Sequence, residues 1–253
     1  MLTWAIDPVA FTVFGLEIRW YGVIFSIALA AVYLSMHHKL SKLNYSENQI
    51  DILYFGGIIA IVIGARAFHL LAYEPSDLLR DPSLLFNFRK GGLASHGGII
   101  ALSLWITLYY VKYKVNIREL LDSLVYPVLL FSIFVRIGNF MNSEVYGVPT
   151  NETWGVIFER IDYIPRYPTQ LIEAGLYLLL LLAMYTSDRG TLKKGMFFSC
   201  LVVSMSATRF IAELTKENSS EFTFEYLTIG GVLSIITLLI GVMMSIGFQK
   251  SKV

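Results

Sequence analysis

Charge is scarce in this chain. Only 15% of its 253 residues are charged, and the net charge is +1. So even a balance leaves no basic footprint for a polyanion, and nucleic acid is excluded as a partner. Cysteine is nearly absent. With Cys200 as the single thiol, an internal disulfide and two-thiol redox chemistry are both ruled out. Inside an apolar run, Cys200 reads as a small packing residue. There is no internal repeat and no low-complexity tract. No cluster has the ligand spacing of a metal site, and no cofactor is expected. The first residues show neither a basic n-region nor a small-residue cleavage site, so a removable signal peptide is not expected.

Apolar side chains are abundant, at 55% of the chain. With so little charge, this composition points to a polytopic membrane protein. A spanning helix needs about 20 apolar residues. Seven segments approach or reach that length, near 19–37, 52–72, 93–111, 120–140, 170–186, 195–214 and 226–248. An open sheet cannot satisfy its backbone in lipid, so the fold class is all-α, a bundle of about seven transmembrane helices. We expect one integral membrane domain over 1–253, with 141–169 as a small outer cap containing Trp154 and Tyr163.

Basic residues orient the chain. Lys39, Lys42, Lys112, Lys114, Arg118, Arg189, Lys193, Lys194, Lys250 and Lys252 fall on one side of a seven-span path. That side is expected to be cytoplasmic, with the N-terminus outside. The basic residues of the other side are interspersed with acids.

This path brings polar groups from six segments to one depth, in the outer leaflet. They are Tyr21; Arg66 and His69; Ser95-His96-Gly97-Gly98; Arg136 and Asn139; Gln170 and Glu173; and Arg209 and Glu213. An ionisable group at membrane depth costs roughly 2.5–3.5 kcal/mol on insertion scales, so such a cluster is a site hypothesis by default. The inner halves are nearly bare of charge, which disfavours a transporter or ion path. Arg136 and Asn139 share a helix face. Arg209 and Glu213, four apart, can pair. Three arginines at one depth repel unless acids or a bound anion balance them. Guanidinium forks suit a phosphate, and a phospholipid headgroup is the obvious anion. Gly97 and Gly98 would let a headgroup approach the backbone. Structural readings stand beside these. Arg66 could pair with Glu173 or Glu213 to hold helices together. Asn139 and Asn142 could only bridge helices. Arg166 could snorkel at the interface.

The run Arg136-Ile137-Gly138-Asn139-Phe140-Met141-Asn142-Ser143-Glu144, followed by Gly147, resembles the signature of the prolipoprotein diacylglyceryl transferase family. Arg19-Trp20-Tyr21-Gly22, Gly64-Ala65-Arg66, Ser95-His96-Gly97-Gly98, Arg166-Tyr167-Pro168-Thr169-Gln170-Leu171-Ile172-Glu173 and Arg209-Phe210-Ile211-Ala212-Glu213 agree in order and spacing. The resemblance covers nearly the whole chain. It implies an inner-membrane enzyme with seven spans. Such an enzyme moves the diacylglyceryl group of phosphatidylglycerol onto the lipobox cysteine of a preprolipoprotein signal peptide and releases glycerol 1-phosphate. By resemblance, His96, Arg136 and Arg209 are the main functional positions. Tyr21, Arg66, Asn139, Glu144 and Glu213 match residues tied to activity or lipid binding. Gly97, Gly98, Asn142, Gln170 and Glu173 complete the expected substrate-binding set. The chain departs from the family pattern at Ser95, Val135, Ser143, Tyr167, Ile172 and Met205. The departures at Val135, Tyr167 and Met205 motivate one alternative, a catalytically silent relative that binds phospholipid or lipoprotein.

The implied reaction is a displacement at a glycerol carbon by sulfur. Thiolate is the competent nucleophile. His96 is the histidine placed to act as base. The leaving phosphate needs charge stabilisation, which Arg136 and Arg209 can supply.

Overall fold

A computed structural model describes residues 2–87, 92, 94–150, 154–188, 192–213, 215–216, 223–224 and 227–250; for 95, 96, 223, 224 and 227–229 it describes the backbone alone. The chain divides into two compact units, His37–Leu120 and, around it in sequence, Met1–Met36 with Leu121–Val253. Helix α1, Trp20–Lys42, runs from one into the other. Six helices among the described residues are long and apolar enough to cross a membrane. They cover six of the seven expected segments. The seventh, 93–111, is helical as Ser95–Tyr113.

The smaller unit holds α2 (Glu47–Tyr73), α3 (Pro75–Arg80), a 3-10 turn (Pro82–Phe86) and α4 (Ser95–Tyr113). Ser46 starts α2 with a reciprocal capping box, its side chain and that of Gln49 each taking the other's backbone N–H. Helices α2 and α4 then pack at close range because small residues face each other. A Cβ on Gly97 would strike the Gly64 carbonyl and Phe68, and one on Gly56 would strike the Trp105 ring. Polar tips finish this contact. Trp105 Nε1 donates to the Leu53 carbonyl at 3.1 Å, and the Tyr109 hydroxyl to that of Gln49 at 3.2 Å.

The larger unit holds α5 (Ile117–Ser123), α6 (Val125–Met141), α7 (Thr169–Ser187), α8 (Met196–Glu213) and α9 (Ile229–Lys250). The expected single segment 120–140 is broken at Leu124. Pro127 has no N–H for the Ser123 carbonyl, so the helical ladder cannot run through unchanged. Val125, Tyr126 and Leu129 of α6 pack on Met184 of α7 and on Phe197 and Leu201 of α8. Asp122 ties α5 to the start of α8 by accepting from the Gly195 and Phe198 amides at 2.6 and 2.8 Å. Ser206 and Thr237 hydroxyls join α8 to α9 at 2.8 Å. Cys200, expected to pack inside, is exposed on α8, because its neighbours Ser199 and Leu201 occupy the buried side.

Short strands lie outside the helices. They were not foreseen, because at two to five residues each they carry no readable alternation. Strand β1 (Leu2–Trp4) pairs in parallel with β4 (Val156–Phe158), which pairs antiparallel with β5 (Pro165–Arg166). Strands β2 (Val9–Val13) and β3 (Leu16–Arg19) form a hairpin, and β6 (Thr223–Phe224) pairs with β7 (Leu227–Thr228). The first sheet sits on Phe140 at the end of α6, in an aromatic cluster with Trp4, Tyr146 and Phe158. Arg166 is buried here rather than snorkelling. Its guanidinium grips Asp162 at 2.6 Å, donates to the Gly147 carbonyl at 3.3 Å and lies over the Tyr146 ring. The Arg166 hydrogen bond holds the Asp162 carboxyl below its usual range.

Candidate functional site

Helices α6, α7 and α8 bring Arg136, Glu173 and Arg209 together near one end of the larger unit. Glu173 is almost fully buried, with 1% of its side chain exposed. Its Oε2 lies 3.0 Å from Arg136 Nε, and its Oε1 accepts from Arg209 Nη1 at 3.0 Å. One carboxylate therefore serves two guanidinium groups. The expected i,i+4 pair is also present, with Arg209 Nη2 3.3 Å from Glu213 Oε2. These acids answer the repulsion that the sequence raised: each of the two partly buried arginines has a carboxylate beside it.

The contacts differ in quality. Arg136 Nε and Glu173 Oε2 are close as charges, yet neither makes an aligned hydrogen bond. Arg136 Nη1 donates to Asn139 Oδ1 at 3.2 Å, the face-sharing expected of an i,i+3 pair. The Tyr177 hydroxyl, one turn beyond Glu173, donates to Glu173 Oε1 at 2.9 Å. Glu173 Oε1 is thereby fixed from two directions, and Arg136 is held less tightly than Arg209.

The loop after α6 builds the rim. Ser143 and Val145 both adopt positive φ, 55° and 58°. Glycine would sit in either conformation freely, whereas a β-branched valine there is strained. The double kink lets the Glu144 amide donate back to the Asn139 carbonyl at 2.9 Å. Asn142 Nδ2 donates to Glu144 Oε1, and Gln170 Nε2 donates to the Glu144 carbonyl at 2.6 Å. Gln170 is fully buried, and its own Oε1 has no hydrogen-bond partner among the described residues. Tyr21, at the start of α1, lies against Gly138 at the Arg136 end of α6; a Cβ on Gly138 would come within 3.1 Å of its ring.

Lys216 was not foreseen. Its Nζ lies 3.9 Å from Glu213 Oε1. Backbone pairing with Gly147, and the bond from the Val148 amide to the Thr215 carbonyl at 3.0 Å, stitch it to the signature loop. Burial, and next the Arg209 charge, lower its amine below the usual lysine range; Glu213 and Glu173 oppose this and Arg136 adds to it. The i,i+3 spacing from Glu213 was the available signal. Tyr177, four residues after Glu173, was legible by the same rule.

The remaining predicted residues fall in the smaller unit. Arg66 is buried, and Nε and Nη2 donate to the Leu84 carbonyl at 3.1 and 2.9 Å. Its Nη1 donates to the Gly92 carbonyl at 3.3 Å. Beside it, His69 Nε2 is 3.5 Å from Glu74 Oε1. These residues line a cavity of about 690 Å³ that also takes in Asp77, Arg80 and Asp81. His96 is in the first turn of α4, and its side chain lies outside the described residues. Gly97 and Gly98 both face α2, so the room left by their missing side chains is filled by another helix.

Spanning helices of this number, with an arginine–carboxylate cluster buried near the helix ends, define a multi-pass membrane protein. The family model for prolipoprotein diacylglyceryl transferase matches residues 8–247. The phosphatidylglycerol–prolipoprotein diacylglyceryl transferase of Tolumonas auensis is 36% identical over 259 residues, covering 100% of this chain and 99% of its own. Its counterparts in Bacteroides fragilis and Chloroherpeton thalassium are 33% identical over 267 residues and 34% over 256. They cover 99% and 98% of this chain, and 96% and 94% of their own lengths. The chain belongs to the prolipoprotein diacylglyceryl transferase family.

Proposed function

We propose that this protein transfers the sn-1,2-diacylglyceryl group of phosphatidylglycerol to the lipobox cysteine of a preprolipoprotein, releasing glycerol 1-phosphate. Its place is the bacterial inner membrane, crossed seven times with α4 as the third span and the N-terminus outside. Residues 141–169 form the outer cap. One observation carries the reading: Arg136 and Arg209 share the buried Glu173, with Lys216 and Glu213 beside them. Two arginines and a lysine thus stand around one shared carboxylate and its neighbour Glu213, a set of donors suited to a phosphodiester anion.

In the reaction the thiol proton passes to a base, for which we assign His96. The sulfur attacks the terminal glyceryl carbon of the lipid, forming a C–S bond. The C–O bond to phosphate breaks, and its electrons leave on glycerol phosphate. The growing charge on that phosphate is met by Arg136 and Arg209, already oriented by Glu173, and by Lys216 beside Glu213. Among the described residues Arg136 Nη2 has no hydrogen-bond partner, so its N–H groups can donate to a phosphate oxygen. Asn139, Asn142, Glu144, Gln170, Tyr21 and Glu213 shape the rim. Arg66 belongs to the substrate-binding set through its match to the family motif, whereas Gly97 and Gly98, which match as well, serve the packing of α4 on α2.

The test is the purified protein with phosphatidylglycerol and a lipobox peptide. Thioether product with stoichiometric glycerol phosphate is the expected result. Bound lipid without product would instead describe a silent relative.

A further inference from the structure

The β2–β3 hairpin has two unlike faces. Its register sets Phe11 opposite Ile18 and Val13 opposite Leu16, with Thr12 opposite Glu17 between them. Directly opposed residues share a face, and successive pairs alternate. Phe11, Val13, Leu16 and Ile18 thus make one apolar face, and Thr12 and Glu17 the other. The apolar face is not covered: Leu16 is 70% exposed and Phe11 52%.

The tip is stranger. The two turn residues, Phe14 and Gly15, both have positive φ, 50° and 77°. Two-residue hairpins favour that geometry, and Asn, Asp or Gly normally open it. A phenylalanine there is strained, and this one is 101% exposed. In water it would be unfavourable twice over, in backbone and in solvation. A two-stranded hairpin is also marginal without something to pack on.

The occupant follows from where the hairpin ends. Arg19 closes β3 and Trp20 begins the spanning helix α1, with no linker between. The Trp20 amide donates to the Pro8 carbonyl at 2.9 Å, fastening the base of the ribbon to the helix end. Its base therefore sits where a span leaves the bilayer, the level tryptophan and tyrosine prefer. Two residues on, Tyr21 lies against Gly138 near Arg136. We propose that the apolar face of the β2–β3 ribbon, with Phe14 at its tip, lies in the headgroup–acyl boundary of the leaflet at the Arg136 end of α6. The polar face, Thr12 and Glu17, looks to water. The ribbon is a β counterpart of an interfacial amphipathic helix.

Cys200 is the only cysteine, so Cys200→Ser gives a background for single labels. Nitroxides are placed by Phe11→Cys, Thr12→Cys, Val13→Cys, Leu16→Cys and Glu17→Cys, one per full-length protein. Each is reconstituted in vesicles of phosphatidylglycerol and phosphatidylethanolamine. Collision with oxygen is compared with collision with a water-soluble nickel chelate. Oxygen should dominate at 11, 13 and 16, and nickel at 12 and 17, a period of two. Nickel access at all five sites, or no alternation, overturns the proposal. So does an apolar face that is wet in vesicles and shielded only when an apolar signal peptide is added, since the ribbon would then dock peptide. The readout needs no turnover, so it stands or falls separately from the transferase reading.

Discussion

Arg66 and Arg136 invite comparison: both are arginines in apolar helices at the depth where the sequence gathers polar groups. Their partners differ in kind. Arg66 gives its guanidinium to the carbonyls of Leu84 and Gly92. Arg136 faces a carboxylate, shared with Arg209. Carbonyl dipoles hold a guanidinium in place. A buried carboxylate cancels the charge, so the balance of the cluster becomes sensitive to each member. The first arrangement orders a loop, and the second ties three helices through one carboxylate.

Substitutions can break this contrast, and the largest effect is expected at its centre. Glu173→Gln leaves two guanidinium groups without their shared counter-ion. Breaking a buried pair costs about 3–5 kcal/mol. We expect thermal unfolding in detergent to show a loss of that order, with transfer nearly abolished. Next comes Arg66→Lys, which keeps the charge but cannot donate twice to the Leu84 carbonyl. The cost is about 1–3 kcal/mol. Hydrogen exchange should rise in the turn at Pro82–Phe86, while the larger unit keeps its protection.

A smaller effect separates Lys216 from the arginines. Its amine loses its proton below the usual lysine range, whereas an arginine keeps its charge throughout. As pH rises through that lowered value, one cation disappears from the site. KM for phosphatidylglycerol should climb on the alkaline side. In Lys216→Arg the climb should vanish, and an unchanged profile would remove Lys216 from phosphate binding. Smallest is Ser143→Gly. Serine sits at φ 55°, and left-handed backbone costs an L-residue roughly 1–2 kcal/mol. The variant should unfold at higher temperature with transfer intact.

The helices were legible because apolar runs of this length have one physical reading. The Arg209–Glu213 pair followed from helical spacing alone. The sharing of Glu173 did not, since it joins residues 136, 173 and 209 from three helices, and periodicity says which face a residue takes but not which helix it meets. For Arg66, carboxylates were weighed as structural partners, and the backbone carbonyls it meets, which every loop supplies, were not. The break at Leu124 was open to a reading of Pro127. The hairpin hid in eleven residues whose amphipathy shows only once the register pairs them.

In the proposed reaction the Arg136 guanidinium stabilises the leaving phosphate. Arg136→Lys keeps the charge beside Glu173 and removes the fork. Steady-state transfer to a lipobox peptide, measured across phosphatidylglycerol concentrations, is the most direct test. Losing one donor to a developing anion typically costs about 10²–10³-fold in kcat. A fall of that order is expected, with KM changed far less. Wild-type kcat in Arg136→Lys would contradict it.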